Sequence, residues 1–88
     1  MDINRWKNLS EREQYGAIAA EVARAMEWEN KDRENFKAAL EQGIKLVDLT
    51  LDDPRHKGKY LMFFRLKEEL GKFYVGAENG VAKLYAAL

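Results

Sequence analysis

The run "IKLVDLTL" (residues 44–51) decides the fold. Read alone, its β-branched and apolar side chains suit a strand. Upstream, however, Phe36 and Leu40 lead through Gly43 and Val47 to Thr50 or Leu51 at separations of three and four residues. That is the period of one helix face, so the run is expected to be the second half of a helix over 32–52. Leu46 and Leu49 fall off this stripe, which implies burial on more than one side. Glu41 and Lys45, four apart with the glutamate first, suit a surface pair.

Next comes "DDPRHKGK" (residues 52–59), which holds the only proline and the only histidine. Pro54 pushes Asp53 away from helical angles and cannot continue the helix, and Gly58 loosens the chain beyond it. The segment is therefore expected to be a bend between helices. Arg55, His56 and Lys57 fall just past a helix C-terminus, where positive charge is favoured. His56 is expected to be solvated there and to have no catalytic role.

A third helix is expected over 59–75, with Phe63, Leu66, Leu70 and Phe73 or Tyr74 as its core stripe, Glu68 and Lys72 as a surface pair, and Gly76 as its stop. Tyr60, Leu61, Met62 and Phe64 carry apolar surface well round the cylinder, more than one stripe needs. They are candidate interface residues, to be covered by a fourth segment or by a second subunit. "VAKLYAAL" (residues 81–88) spaces Val81, Leu84, Tyr85 and Leu88 as a short amphipathic helix, expected over 79–87.

Toward the N-terminus, Ser10 and Glu13 in "SERE" form a capping-box pattern that opens a helix over 10–29. Its stripe is Tyr15, Ile18, Val22 and Met26, and a short leader carrying Trp6 and Leu9 precedes it. Asn30 or Asp32 is placed to cap the following helix. The fold class expected is all-α, an up-down bundle of three main helices plus a short C-terminal one, in a single domain spanning residues 1–88.

Composition narrows the function classes. The chain has 88 residues, 47% hydrophobic and 34% charged, with a formal net charge of zero. Such a balance exerts no general pull on nucleic acid or anionic membrane. No cysteine is present, which excludes disulfides, thiolate metal sites and cysteine nucleophiles. The start lacks the apolar core of a signal peptide, and no apolar run approaches membrane-spanning length, so a cytoplasmic location is expected.

No catalytic constellation emerges. The glycines are scattered, so no phosphate loop is present. One histidine without cysteine does not make a zinc site, and no Glu-x-x-His pair marks a bundle metal centre. Ser10, the only serine, is accounted for as a helix cap rather than as a triad nucleophile. No catalytic residue, metal or cofactor is expected. Arg55, His56, Lys57 and Lys59 form a small basic cluster, but Asp52 and Asp53 precede it and no stacking aromatics interleave, which weakens a nucleic-acid reading.

Charges inside apolar stretches supply the candidate binding site. Asp48 interrupts "KLVDLTL", Arg65 interrupts "LMFFRLKEEL", and Arg24 sits in "EVARAM". One reading pairs Asp48 with Arg24 or Arg65 across the bundle. A second has Glu21, Arg24, Asp48 and Arg65 line a groove for a ligand or partner. A third simply turns each charge outward.

The segments "NRWKNLSEREQ", "EVARAMEW", "ALEQGIKLVDLTLDDP" and "RLKEELGKFYVGAEN" resemble a family of small prokaryotic helical proteins. These are similar in layout to the HEPN-like bundles that accompany minimal nucleotidyltransferases. The resemblance implies a binding subunit, a homodimer acting beside a separate nucleotidyltransferase. Ribonuclease members of that superfamily carry an arginine separated from a histidine by four to six residues. Leu51, Thr50 and Leu49 occupy those positions before His56, so RNA cleavage is not implied.

The function expected is thus a non-enzymatic, self-associating helical interaction module that serves another protein as an accessory subunit. The alternative is a small-ligand or nucleotide-binding subunit partnering a nucleotidyltransferase. A nuclease or other hydrolase comes third and rests on His56.

Overall fold

The computed structural model describes residues 3–88, and helices are the only regular secondary structure among them. In chain order, α1 is Ile3–Asn8, α2 Glu11–Trp28, α3 Arg33–Leu51, a 3-10 helix Pro54–Lys59, α4 Tyr60–Tyr74 and α5 Ala82–Ala87. The three long helices and the short C-terminal helix fall where the hydrophobic periodicity places them.

Local chemistry sets most of the boundaries. At the head of α2, the Ser10 hydroxyl accepts from the Glu13 amide and the Glu13 carboxylate accepts from the Ser10 amide, each at 3.1 Å. A cap of this kind stabilises by about 1 kcal/mol. Asp32, extended at φ −152°, accepts from the Glu34 and Asn35 amides and starts α3. Asp53 caps the 3-10 helix by accepting from the Arg55 amide, with Pro54 in the first helical position, where its missing N–H costs nothing. Gly76, at φ +78°, ends α4: its amide donates to Phe73 O and the Ala77 amide to Lys72 O, the Schellman pattern.

Helix α3 is central, packing on α2 along one flank and on α4 along the other. This explains its two-sided apolar content. Ile18, Val22 and Ala25 of α2 meet Phe36, Ala39, Leu40 and Val47 of α3, and Phe63, Leu66, Leu70 and Phe73 of α4 complete the core. Ala25, Ala39 and Gly43 let α2 and α3 approach closely; a Cβ on Gly43 would lie 3.7 Å from Glu21 Cβ. Helix α5 runs antiparallel to α2. The Glu29 carboxylate accepts from the Gly80 and Val81 amides at 2.7 and 2.9 Å, and Tyr15 Oη donates to Leu88 O. Val81 is buried, and Leu84 and Leu88 are partly so.

The structure corrects four readings of the sequence. The leader is helical, because Trp6 is fully buried and draws residues 3–8 onto α3. The α2 stripe is rotated: Ala25 is buried and Met26 is 40% exposed, since the close α2–α3 contact favours the small side chain. The bend is a 3-10 helix with His56 in the interior, 3% exposed. The surface pairs also differ, with Glu41 accepting from Tyr74 Oη and Lys72 pairing with Glu69.

Candidate functional site

Four polar side chains are buried together where α1, α2, α3 and the 3-10 helix meet: Gln14, Thr50, Asp53 and His56. Burying polar groups is costly unless each finds a partner, and here nearly all do. Trp6 Nε1 donates to Thr50 Oγ1 at 3.2 Å, and Thr50 Oγ1 donates to Leu46 O at 2.8 Å. Gln14 Nε2 donates to Trp6 O at 2.7 Å and to Asp53 Oδ2 at 3.2 Å. Gln14 Oε1 lies 2.6 Å from His56 Nε2.

Arg55 closes the cluster from outside. It forms a 2.7 Å ion pair with Asp53 and also donates to Leu9 O and Lys7 O. One guanidinium thus neutralises the buried carboxylate and caps the C-terminal end of α1. The Arg55 hydrogen bonds hold the Asp53 carboxyl well below the usual carboxylate range, against the opposing effect of burial.

The hydrogen-bond pattern assigns the histidine tautomer. Both acceptors of Gln14 Nε2 lack a proton to give, so the amide orientation is fixed and Oε1 can only accept. In the neutral ring, His56 therefore carries its proton on Nε2 and a lone pair on Nδ1. That Nδ1 is buried and has no hydrogen-bond partner. The ring stands edge-on to Phe63 with centroids 5.3 Å apart. It forms part of the wall of a cleft of about 680 Å³, open to one side, between the first turns of α2 and of α4. No hydroxyl is hydrogen-bonded to Nδ1, so the nuclease reading gains no nucleophile–base pair here.

The sequence-derived binding residues sit elsewhere. Arg24 Nη1 donates to Glu21 Oε1 at 3.2 Å along one face of α2 and lies 3.1 Å from Oε2 without hydrogen-bond alignment. Asp48 reaches Lys67 at 2.7 Å, a half-exposed ion pair between α3 and α4. Neither Arg24 nor Arg65, the partners in one of the three readings, pairs with Asp48, and Arg65 is turned outward on α4 as the third reading has it. Of the interface candidates, Leu61 is 64% exposed and Phe64 54%, Tyr60 is half-buried, and Met62 lines the cleft.

Gln14 was the residue that periodicity could have revealed. It lies four before Ile18 and eight before Val22, a polar side chain in phase with the core stripe. Among the described residues no cluster of three or more His, Asp or Glu is placed to hold a metal ion, and no helix is long and apolar enough to cross a membrane. Comparison with protein-family models, with curated proteins and with solved structures found no match.

Proposed function

We propose that this protein is a non-enzymatic helical interaction module that self-associates through the outward face of α4. The observation carrying this reading is the exposure of Leu61 and Phe64, one turn apart on a helix whose opposite face already supplies four core residues. Arg65 and Glu68, of opposite sign, flank them on the same face, so a two-fold pair of copies can set Arg65 of one against Glu68 of the other.

Burying a leucine or phenylalanine contributes about 2 kcal/mol. Two such residues from each copy give a gain comparable to the association cost of about 4–15 kcal/mol. The dimer expected is therefore weak and concentration-dependent. Sedimentation equilibrium on the wild type and on Phe64→Glu tests it, since a charge at the centre of the face abolishes association while the monomer stays folded.

The accessory-subunit role implied by the HEPN-like resemblance is supported by helical layout alone, an analogy of fold. Recovery of a nucleotidyltransferase with this chain from its native host is the result that would establish it.

A further inference from the structure

We propose that Asn79–Gly80, in the loop before α5, is a site of spontaneous deamidation that Glu29 restrains in the folded chain and whose product releases α5.

The reactive pair is set by the sequence. Of Asn4, Asn8, Asn30, Asn35 and Asn79, only Asn79 precedes a glycine. Deamidation needs the following backbone nitrogen to reach the asparagine Cγ, and a side chain on the following residue obstructs that approach. Gly80 has none. Asn79 is exposed, lies outside any helix and makes no side-chain hydrogen bond among the described residues. Asn35, by contrast, sits inside α3 and donates to Asp32.

The chemistry requires only water. The Gly80 nitrogen, having lost its proton to solvent base, bonds to Asn79 Cγ, and the Cγ–Nδ2 bond breaks. Nδ2 takes a proton from water and leaves as ammonia, and a succinimide ring remains. Water then opens the ring at either carbonyl. Attack at Cγ gives aspartate in an unaltered main chain. Attack at the main-chain carbonyl gives isoaspartate, whose main chain runs through Cβ and Cγ. Overall, one amide and one water give one carboxylate and one ammonium ion.

Glu29 controls access to this reaction. Its carboxylate accepts from the Gly80 amide at 2.7 Å and from the Val81 amide at 2.9 Å. Two successive peptide groups are thus pinned, which restricts the rotation about the Asn79 Cα–C bond that brings the nitrogen to Cγ. The carboxylate charge also opposes loss of the Gly80 proton. Deamidation therefore runs through molecules in which α5 has opened. Helix α5 has no buried residue of its own, the mark of a segment that opens locally.

The product undoes the latch. Asn79 shares a surface depression with Glu29 and Glu78, so a carboxylate at this position adds like charge to the same place. Arg33, the one cation lining the depression, is already engaged with Tyr74 O and the Phe36 ring. Isoaspartate further adds a methylene to the main chain directly before the two amides that Glu29 holds, and so breaks their register.

The test follows the full-length protein and a reference peptide of residues 76–83 at neutral pH, by ion exchange and peptide mapping with mass spectrometry. Conversion is expected at Asn79 alone, and more slowly in the wild type than in the peptide. Glu29→Ala should convert about fivefold faster than wild type, the rise in open population that follows loss of one cap. Tyr15→Phe removes the bond to Leu88 O at the other end of α5 and should also raise the rate. The purified product should exchange amide hydrogens at residues 80–88 faster than the unreacted protein. A wild type that converts as fast as the peptide overturns the proposal. So does a rate unchanged by both variants, or a lower rate in Glu29→Ala, where the carboxylate would be acting as a base. Asn79 left intact in folded Glu29→Ala after the peptide has converted, or a product whose α5 keeps full protection, overturns it as well.

Discussion

Gln14 and His56, 42 residues apart in the chain, share a 2.6 Å hydrogen bond in the protein interior. Through that one amide, α2 is tied to the 3-10 helix, to α1 by way of Trp6 O, and to the Asp53 carboxylate.

Replacing Gln14 by leucine leaves the His56 Nε2–H without a partner and takes one donor each from Trp6 O and Asp53 Oδ2, which keep the Leu9 amide and Arg55. An unmet buried donor costs about 1–3 kcal/mol, so a loss of about 2 kcal/mol is expected in urea unfolding followed by circular dichroism. Gln14→Glu should be worse at neutral pH, because it sets a second carboxylate against Asp53. Its deficit should shrink in acid. A loss below about 0.5 kcal/mol, the range of ordinary surface changes, would show that the junction is not structural.

Asp53 gives stability an acid limb. Its carboxyl is held below its unfolded range, about 3.9, so the stabilisation is fully present above that pH and is lost as the pH falls further. The wild-type urea midpoint should therefore drop below pH 4. In Asp53→Asn the drop should be smaller, from a starting stability about 2 kcal/mol lower at pH 7. The loss is no larger because the Arg55 side chain is 38% exposed and solvent screens the pair. Parallel acid limbs in the two proteins would remove Asp53 as their origin.

Glu29 holds α5 against α2 through two backbone amides. Glu29→Ala should destabilise by about 1 kcal/mol, the value of a lost cap. The effect should be local: hydrogen exchange at residues 80–88 should accelerate while Leu40 and Val47 in α3 keep their protection. Uniform acceleration across the chain would mean that α5 and the bundle unfold as one unit.

The helices were legible because their signals are local. Ser10 with Glu13, Asp32, Pro54 and Gly76 each act on the backbone within a few residues, and the α3 and α4 stripes repeat at helical spacing. The junction was not legible, because its partners lie 39 to 44 residues apart along the chain. His56 looked solvated because a turn between charged residues normally is. Only the tertiary fold shows that the turn leans inward and that Gln14 waits for it.

For Asp48, Arg24 and Arg65 the apolar runs left three arrangements open. Of these, the outward turn describes Arg65, while Asp48 meets Lys67, a residue that none of the three named. The sequence pattern fixes the face of a helix only to about one or two positions, since one residue turns it by roughly 100°.

Self-association through α4 is tested most directly by sedimentation equilibrium of the wild type and Phe64→Glu over a range of concentrations. The reading predicts a wild-type mass that rises toward that of a dimer and a variant that stays monomeric with an unchanged helical spectrum. A wild type that remains monomeric up to about 1 mM, the weakest range of specific association, would contradict it. So would a folded Phe64→Glu that dimerises as the wild type does.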